Sequence, residues 1–481
     1  LPRLFERQPD GSFLATPGDL GALSVVSGMF ELREGDGTRE RFRADGRLDF
    51  TEDANGYRIT VAYSGTRVSG YADTRGESAA YVWNAQGRIS QMVDAAGRIT
   101  TFGYDSDGDH LVSIASPRGS YAFSYVTGQG AAREHAMASI TYPDGLMMRM
   151  SYDADGRLSV EGVAQSPGGA MAEPVTYTWA GANELSTLNA AGARSTWTAL
   201  DHGGLARVID PLGVRAQIRY DANARPTEAT GPDNARTRLA WDARGNPAGI
   251  TDPLGRALGL SVDTAWNELT ELRDPRGALT ALEQDGRGNL TAIGRADGTR
   301  TEFTLDARGL VTATTNRRGR TTRYDYDNLG TLVRRVSPDG SQVTDTWDAR
   351  RNLTQTVQIS GTTRLTTTFA YDAADRLTRV TNPNGRYTQY TYDAGGRLTA
   401  TSDQTGFIVS NLYDPATGRL AAVRQNGTTL VTYTYDAAGR PVREDRANGT
   451  VTRYAWDLAG RMLSTTVSAP GGAILARFEY V

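Results

Sequence analysis

The sequence predicts an all-β fold of tandem antiparallel β-hairpins, joined edge to edge into one long strip of sheet. Three observations carry this. A motif of aromatic, Asp, two variable residues, Gly, Arg or Asn, and an aliphatic returns about every 21 residues. A second turn signal comes about ten residues after each copy. The segments between the turns are rich in Thr, Tyr and Val and alternate with a period near two.

The rhythm is the strongest of the three. Clear copies begin at Tyr152-Asp153, Tyr392-Asp393, Tyr435-Asp436 and Trp456-Asp457. The Asp recurs at Asp201, Asp221, Asp242, Asp263, Asp285 and Asp306, then at Asp327, Asp348, Asp372, Asp393, Asp414, Asp436 and Asp457, in steps of 20 to 24 residues. The N-terminal half keeps the beat through Phe42, Tyr63, Trp83, Tyr104, Tyr125, Tyr152 and Trp179, in steps of 20 to 27. The two long steps mark insertions, one around 128–136 and one in the Gly/Pro-rich stretch 162–174. Leu200, beside Asp201, joins the halves into an array of about twenty units.

The second turn is written Asp210-Pro211-Leu212-Gly213, Asp252-Pro253-Leu254-Gly255 or Asn382-Pro383-Asn384-Gly385. Asp or Asn bonds the turn backbone, Pro brings its φ already set, and Gly accepts a positive φ at the end. Between turns, Tyr387-Thr388-Gln389-Tyr390-Thr391-Tyr392 and Val431-Thr432-Tyr433-Thr434-Tyr435 read as strands. Each unit is therefore two strands of about six or seven residues and two tight turns, giving about forty strands in all. Strands twist with a fixed hand, so a strip of this length is expected to curl. It would be roughly 190 Å long and about 22 Å wide, and coiled it would enclose a sphere of roughly 18 Å radius. That is room for a small domain, whose radius of gyration is about 13 Å.

Composition narrows the function classes. Length alone would suggest about three domains, but the same few residue types recur from end to end of the 481 residues. A hydrophobic fraction of 39% suits an ordered protein without a thick globular core. The net charge of −3 is mixed along the chain, which disfavours nucleic acid and acidic membrane surfaces as partners. All the formal positive charge is arginine, since the chain has no lysine. Cysteine is absent, which excludes disulfides and Cys-based zinc sites. No run of 18 apolar residues occurs, so no helical membrane span is expected. The chain opens on Leu1 without a signal peptide and closes at Val481 inside an apparent strand, and both ends are expected to be cut from a longer polypeptide.

The unit at Tyr392–Leu398 and its copies at Tyr152, Tyr435 and Trp456 resemble the YD repeat of the RHS family. Tyr413-Asp414-Pro415-Ala416-Thr417-Gly418-Arg419-Leu420 resembles that family's variant with one extra residue. The resemblance divides the chain into a lead-in over 1–40, read as partial repeats, and the array over 41–481; Arg39–Leu48 resembles a first repeat. It implies a spiral β-strip closed into a hollow, non-enzymatic shell. In bacterial polymorphic toxins and insecticidal toxin complexes of this family the shell encloses or presents a C-terminal toxin of the same polypeptide; in animal teneurins a similar shell serves adhesion. Implied partners are that toxin domain, secretion machinery and an immunity protein, with a secreted or cell-surface location. Bacterial members usually end in an aspartyl self-cleavage segment, and no such motif is found before Val481.

Four features invite a chemical reading. The recurring Asp242, Asp306, Asp393 and Asp436 suggest acid–base work, but a glycosidase needs one unequal pair of carboxylates, whereas a turn that recurs needs equivalent ones. Arg157, Arg397, Arg440 and Arg461 could bind sulfated glycans, or could pair with a nearby Asp or aromatic. Tyr152, Trp241, Trp347, Tyr392 and Trp456 could stack on sugars, or could form cross-strand ladders that fix register. These two sets motivate the alternative of an adhesion or carbohydrate-binding scaffold. Asp105-Ser106-Asp107-Gly108-Asp109 hints at calcium, but counted as an EF-hand from Asp105 it has His110 and Ser116 where Gly and Glu belong. His110, His135 and His202 are not in metal-ligand spacing. The expectation is no catalytic residue, no metal and no cofactor.

Overall fold

The computed structural model describes residues 3–16, 21–166, 169–231, 233–264 and 266–480. Leu1 and Val481, the expected cut points, lie outside these residues, as do residues 167–168 of the second expected insertion. Among the described residues there are 45 strands and no helix. Phe5–Arg7 and Phe13–Ala15 form a small two-stranded sheet, and the other 43 strands belong to one antiparallel sheet.

Contacts divide the chain into two compact units. One comprises Leu1–Trp83, Gln91–Ile99 and Ala235–Thr367; the other Asn84–Ser90, Thr100–Asn234 and Thr368–Val481. Within each, consecutive strands pair antiparallel, as Leu377–Thr381 pairs with Tyr387–Tyr392 and that strand with Leu398–Asp403. The pattern of alternation is plain in Thr428–Tyr435, where every second residue from Thr428 is exposed and Tyr433 and Tyr435 lie on the more covered face.

Both turns of the repeat have one geometry. At Asp210 the N–H of Gly213 donates to the Asp210 carbonyl at 2.9 Å, and the N–H of Asp210 donates to the carbonyl of Val214, also at 2.9 Å. At Asp393 the same pair of bonds joins Gly396 and Arg397. This is a three-residue hairpin loop whose last residue takes the left-handed conformation, and Gly213 and Gly396 have φ of 81° and 87°.

The two turns differ in the ladder beyond them. After the aromatic turn the pairing skips one residue on the returning strand: Tyr392 pairs with Leu398 and Thr391 with Ala400, leaving Thr399 over. The skip recurs at Tyr435 and Trp456. The Asp/Asn-Pro turns carry none in the pairs through Asp210 and Asn382. A bulge of this kind bends its strand and raises the local twist, so the curl expected of the strip has a cause built into one turn of the repeat.

The sheet is thinly covered. Phe50, at 2% exposed, is the most buried large side chain described, and no large side chain falls below that level. Cohesion therefore rests on backbone ladders and on contacts between turns.

Candidate functional site

The recurring residues of the motif meet at its turns. Oδ1 of Asp436 accepts from the backbone N–H groups of Ala438 and Arg440, both at 2.9 Å. Asp153, Asp242, Asp306 and Asp372 accept the same pair of bonds. Oδ2 is turned to the arginine four residues on, with Nε at 2.7 Å in Asp393–Arg397, Asp436–Arg440 and Asp457–Arg461. Arg157 holds Asp153 in the same way at 2.9 Å.

The guanidinium then reaches the next repeat. Nη1 of Arg440 donates to the backbone carbonyl of Asp457 at 2.7 Å, and Nη1 of Arg376 to that of Asp393 at 2.9 Å. Its carbon lies over the next aromatic ring, 5.9 Å from Trp456 for Arg440 and 4.7 Å from Tyr413 for Arg397. Arg157 stands 5.9 Å over Trp179. Arg157, Arg397 and Arg440 thus spend their charge inside the ladder, on their own Asp and on the following repeat, while Arg461 pairs with its own Asp457.

The aromatic ties the ladder in the opposite direction. Tyr435 donates its hydroxyl to the carbonyl of Leu420 at 2.8 Å, Tyr392 to Leu377 at 2.7 Å and Tyr152 to Met137 at 2.8 Å. The indoles of Trp456 and Trp347 donate to Pro441 and Leu332 at 2.7 and 3.1 Å. Gln284 stands where an aromatic usually does, and its amide donates to Leu269 at 2.8 Å. The amide of Gln284 thus makes the bond that a tyrosine hydroxyl or an indole makes elsewhere. Trp241 ends the strand Arg236–Trp241 opposite Pro247, at the same place in the hairpin.

The carboxylates of Asp153, Asp242, Asp306, Asp393 and Asp436 all shift one way. Backbone N–H donation, first from the residue four on, holds Asp153 and Asp242 below the ordinary carboxylate range. At Asp306, Asp393 and Asp436 burial pushes the carboxyl up, and the hydrogen bonds of the turn outweigh it, so these too are lowered. A general acid at neutral pH needs a carboxyl moved in the other direction. The Asp105 turn is a longer version of the same device. Its Oδ1 accepts from the N–H groups of Asp109 and His110 at 2.9 and 3.2 Å, and its Oδ2 meets the His110 ring at 2.5 Å. Among the described residues no group of three His, Asp or Glu side chains could hold a metal ion. His202 accepts from the N–H of Gly204 at 3.1 Å and packs edge-on to Tyr220.

Two sets of contacts had no sequence signal. The first joins distant repeats. In the first unit Asn55 and Asn289, 234 residues apart, exchange amide hydrogen bonds at 2.8 Å, and Arg351 pairs with Glu77 at 2.8 Å. In the second, Arg419 holds Glu173, 246 residues away, through two bonds of 2.5 Å. Repeats about eleven or twelve units apart therefore lie turn against turn within each unit. The Glu173–Arg419 pair borders a cleft of about 470 Å³ lined also by Tyr433 and Tyr435. The other set joins His110 to His135.

A family model described as RHS Repeat matches residues 83–121, 220–257, 285–321, 306–342, 371–407 and 413–451. No curated protein matches the sequence. Among solved structures the chain is similar to the crystal structure of TcdB2-TccC3, at 12% identity and a TM-score of 0.50, over 100% of this chain and 30% of that one. The crystal structure of TcdB2-TccC3-Cdc42 is similar at the same identity and TM-score, with 32% of its chain covered. At this identity the likeness is one of fold, and the chain spans about a third of the length of those structures.

Proposed function

The chain is an RHS/YD-repeat protein, and on that premise we propose that it is part of the wall of a shell that encloses or presents a toxin or effector domain carried further along the same polypeptide. The wall acts physically. It shields the cargo, keeps it from its target and hides strand edges that would otherwise template aggregation. No residue of this chain is given a catalytic role, and no cofactor is required. The protein that carries the shell is exported; among the described residues no helix is long and apolar enough to cross a membrane.

The observation that carries this reading is the use of both strand edges and turns for holding sheet to sheet. Backbone ladders join neighbours, the Asp–Arg–aromatic ladder joins successive turns, and pairs such as Glu173–Arg419 join turns 246 residues apart. Within each unit, side chains committed in two directions suit a wall. The test is limited proteolysis of the full polypeptide. Enclosure predicts that the domain beyond the array resists a protease that cleaves the same domain expressed alone. Equal cleavage in both settings would remove the reading.

A further inference from the structure

Two of the three histidines of the chain meet, although 25 residues separate them. Nδ1 of His135 lies 2.7 Å from Nε2 of His110, and Nδ1 of His110 lies 2.5 Å from Oδ2 of Asp105. The His110 ring also packs on Tyr125, with centroids 4.3 Å apart. His135 sits at the end of the insertion that lengthens this repeat, between the strands Gly119–Tyr125 and Met137–Thr141.

That insertion is held at few points. Its neck is closed by the N–H of Val126 donating to the carbonyl of Ala136 at 2.8 Å. Its far side rests on the turn of the following repeat, where the carbonyl of Ala132 occupies the space that a Cβ on Gly156 would need. His135 has a φ of 69°, a left-handed backbone that is unfavourable for a residue with a side chain. Arg133 leaves its Nε buried without a hydrogen-bond partner. Both features weigh against the docked arrangement, and the histidine contact offsets them.

We propose that the Asp105–His110–His135 chain is an acid-sensitive latch that holds the 127–136 insertion against the neighbouring turn and lets it go when both rings are protonated. A hydrogen bond between two ring nitrogens contains one proton. With Asp105 accepting from His110 Nδ1–H, His110 Nε2 is free to accept from His135 Nδ1–H. When both rings are cations, each facing nitrogen carries a proton and the bond is replaced by like-charge repulsion. The docked form therefore holds fewer protons than the released form in acid, so acid favours release. Histidine is the side chain that makes this change between about pH 5 and 8.

The surrounding charges do not remove the effect. Asp105 is the carboxylate in contact with the pair and stabilises one cation there. Asp109 faces Arg88 of the preceding repeat at 3.5 Å. Glu134 is engaged with the N–H of Gly128 at 3.0 Å, and Arg133 with Gln129 at 3.2 Å. On the supporting turn Asp153 is paired with Arg157. Tyr125 donates its hydroxyl to the carbonyl of Leu111. Asp107 sits in the Asp105 turn, hydrogen-bonded by Ser106.

Amide hydrogen exchange of residues 127–136 tests this, read as protection factors so that the intrinsic pH dependence cancels. Between about pH 7.5 and pH 5 the wild-type insertion should lose about tenfold in protection while the strand Gly119–Tyr125 keeps its own. His135→Asn, which tolerates the left-handed backbone, should show the lower protection at both pH values. Unchanged protection in the wild type, or the same acid response in the variant, overturns the latch. Histidine-selective NMR of the wild type gives a second reading: His110 and His135 should titrate as one coupled pair, and independent single-step titrations of both would overturn it. Neither result depends on whether the shell holds a cargo.

Discussion

At the scale of the residue, the repeated aspartate is a turn builder. One carboxylate oxygen of Asp436 satisfies two backbone N–H groups and the other binds Arg440. Asp436→Ala leaves two donors and one guanidinium without that partner and is expected to destabilise by about 1–2 kcal/mol, while Asp436→Asn, which can still accept at Oδ1, should lose about half as much. Urea unfolding of the two variants checks the order. The aspartate's role was legible in the sequence because its environment is local: donor and acceptor lie within four residues. The pairing of Arg157, Arg397, Arg440 and Arg461 with a nearby Asp was legible for the same reason. The His110–His135 contact was not, since it joins a turn to an insertion of irregular conformation and no periodicity places one on the other.

At the scale of the element, a hairpin such as the one at Tyr435–Arg440 is tied forward by its arginine and backward by its aromatic. Tyr435 illustrates the backward tie, with its hydroxyl on the carbonyl of Leu420, one repeat earlier. Tyr435→Phe keeps the ring and removes the donor, so the carbonyl loses that bond, and the expected cost is about 1 kcal/mol. Tyr435→Gln, which copies the natural arrangement at Gln284, should lose ring contact and retain the donor. If Phe were as stable as the wild type by thermal unfolding, the bond would not contribute and the ladder would be one of packing alone. Strand positions and turn types could be read from Thr, Tyr, Val, Pro and Gly. The skipped residue after Tyr392, Tyr435 and Trp456 could not, because a bulge is a property of two strands and changes neither composition nor period.

At the scale of the whole molecule, the chain repeats one small device many times, and its response to acid should be correspondingly steep. Asp153, Asp221, Asp242, Asp252, Asp393 and Asp436 all have their carboxyls lowered in the folded state. A lowered carboxyl contributes stability that is present above its unfolded value, about 3.9, and lost as pH falls through the folded one. The urea midpoint should therefore be level across neutral pH and fall sharply below about pH 4, with a slope that reflects several carboxylates taking up protons together. A flat response from about pH 6 to 3 would contradict the turn chemistry. Contacts such as Asn55–Asn289 and Glu173–Arg419 set how distant repeats meet, and here the sequence was silent. Every repeat offers a similar turn, so the pattern alone does not select which turns become partners.

The most direct measurement is a cryo-electron microscopy map of the full-length protein at side-chain resolution. Hairpins are expected to follow one another in sequence order along a curled strip, with the turns of Glu173 and Arg419 facing each other and density for a further domain inside. A solid stack of sheets with no enclosed density would contradict this expectation.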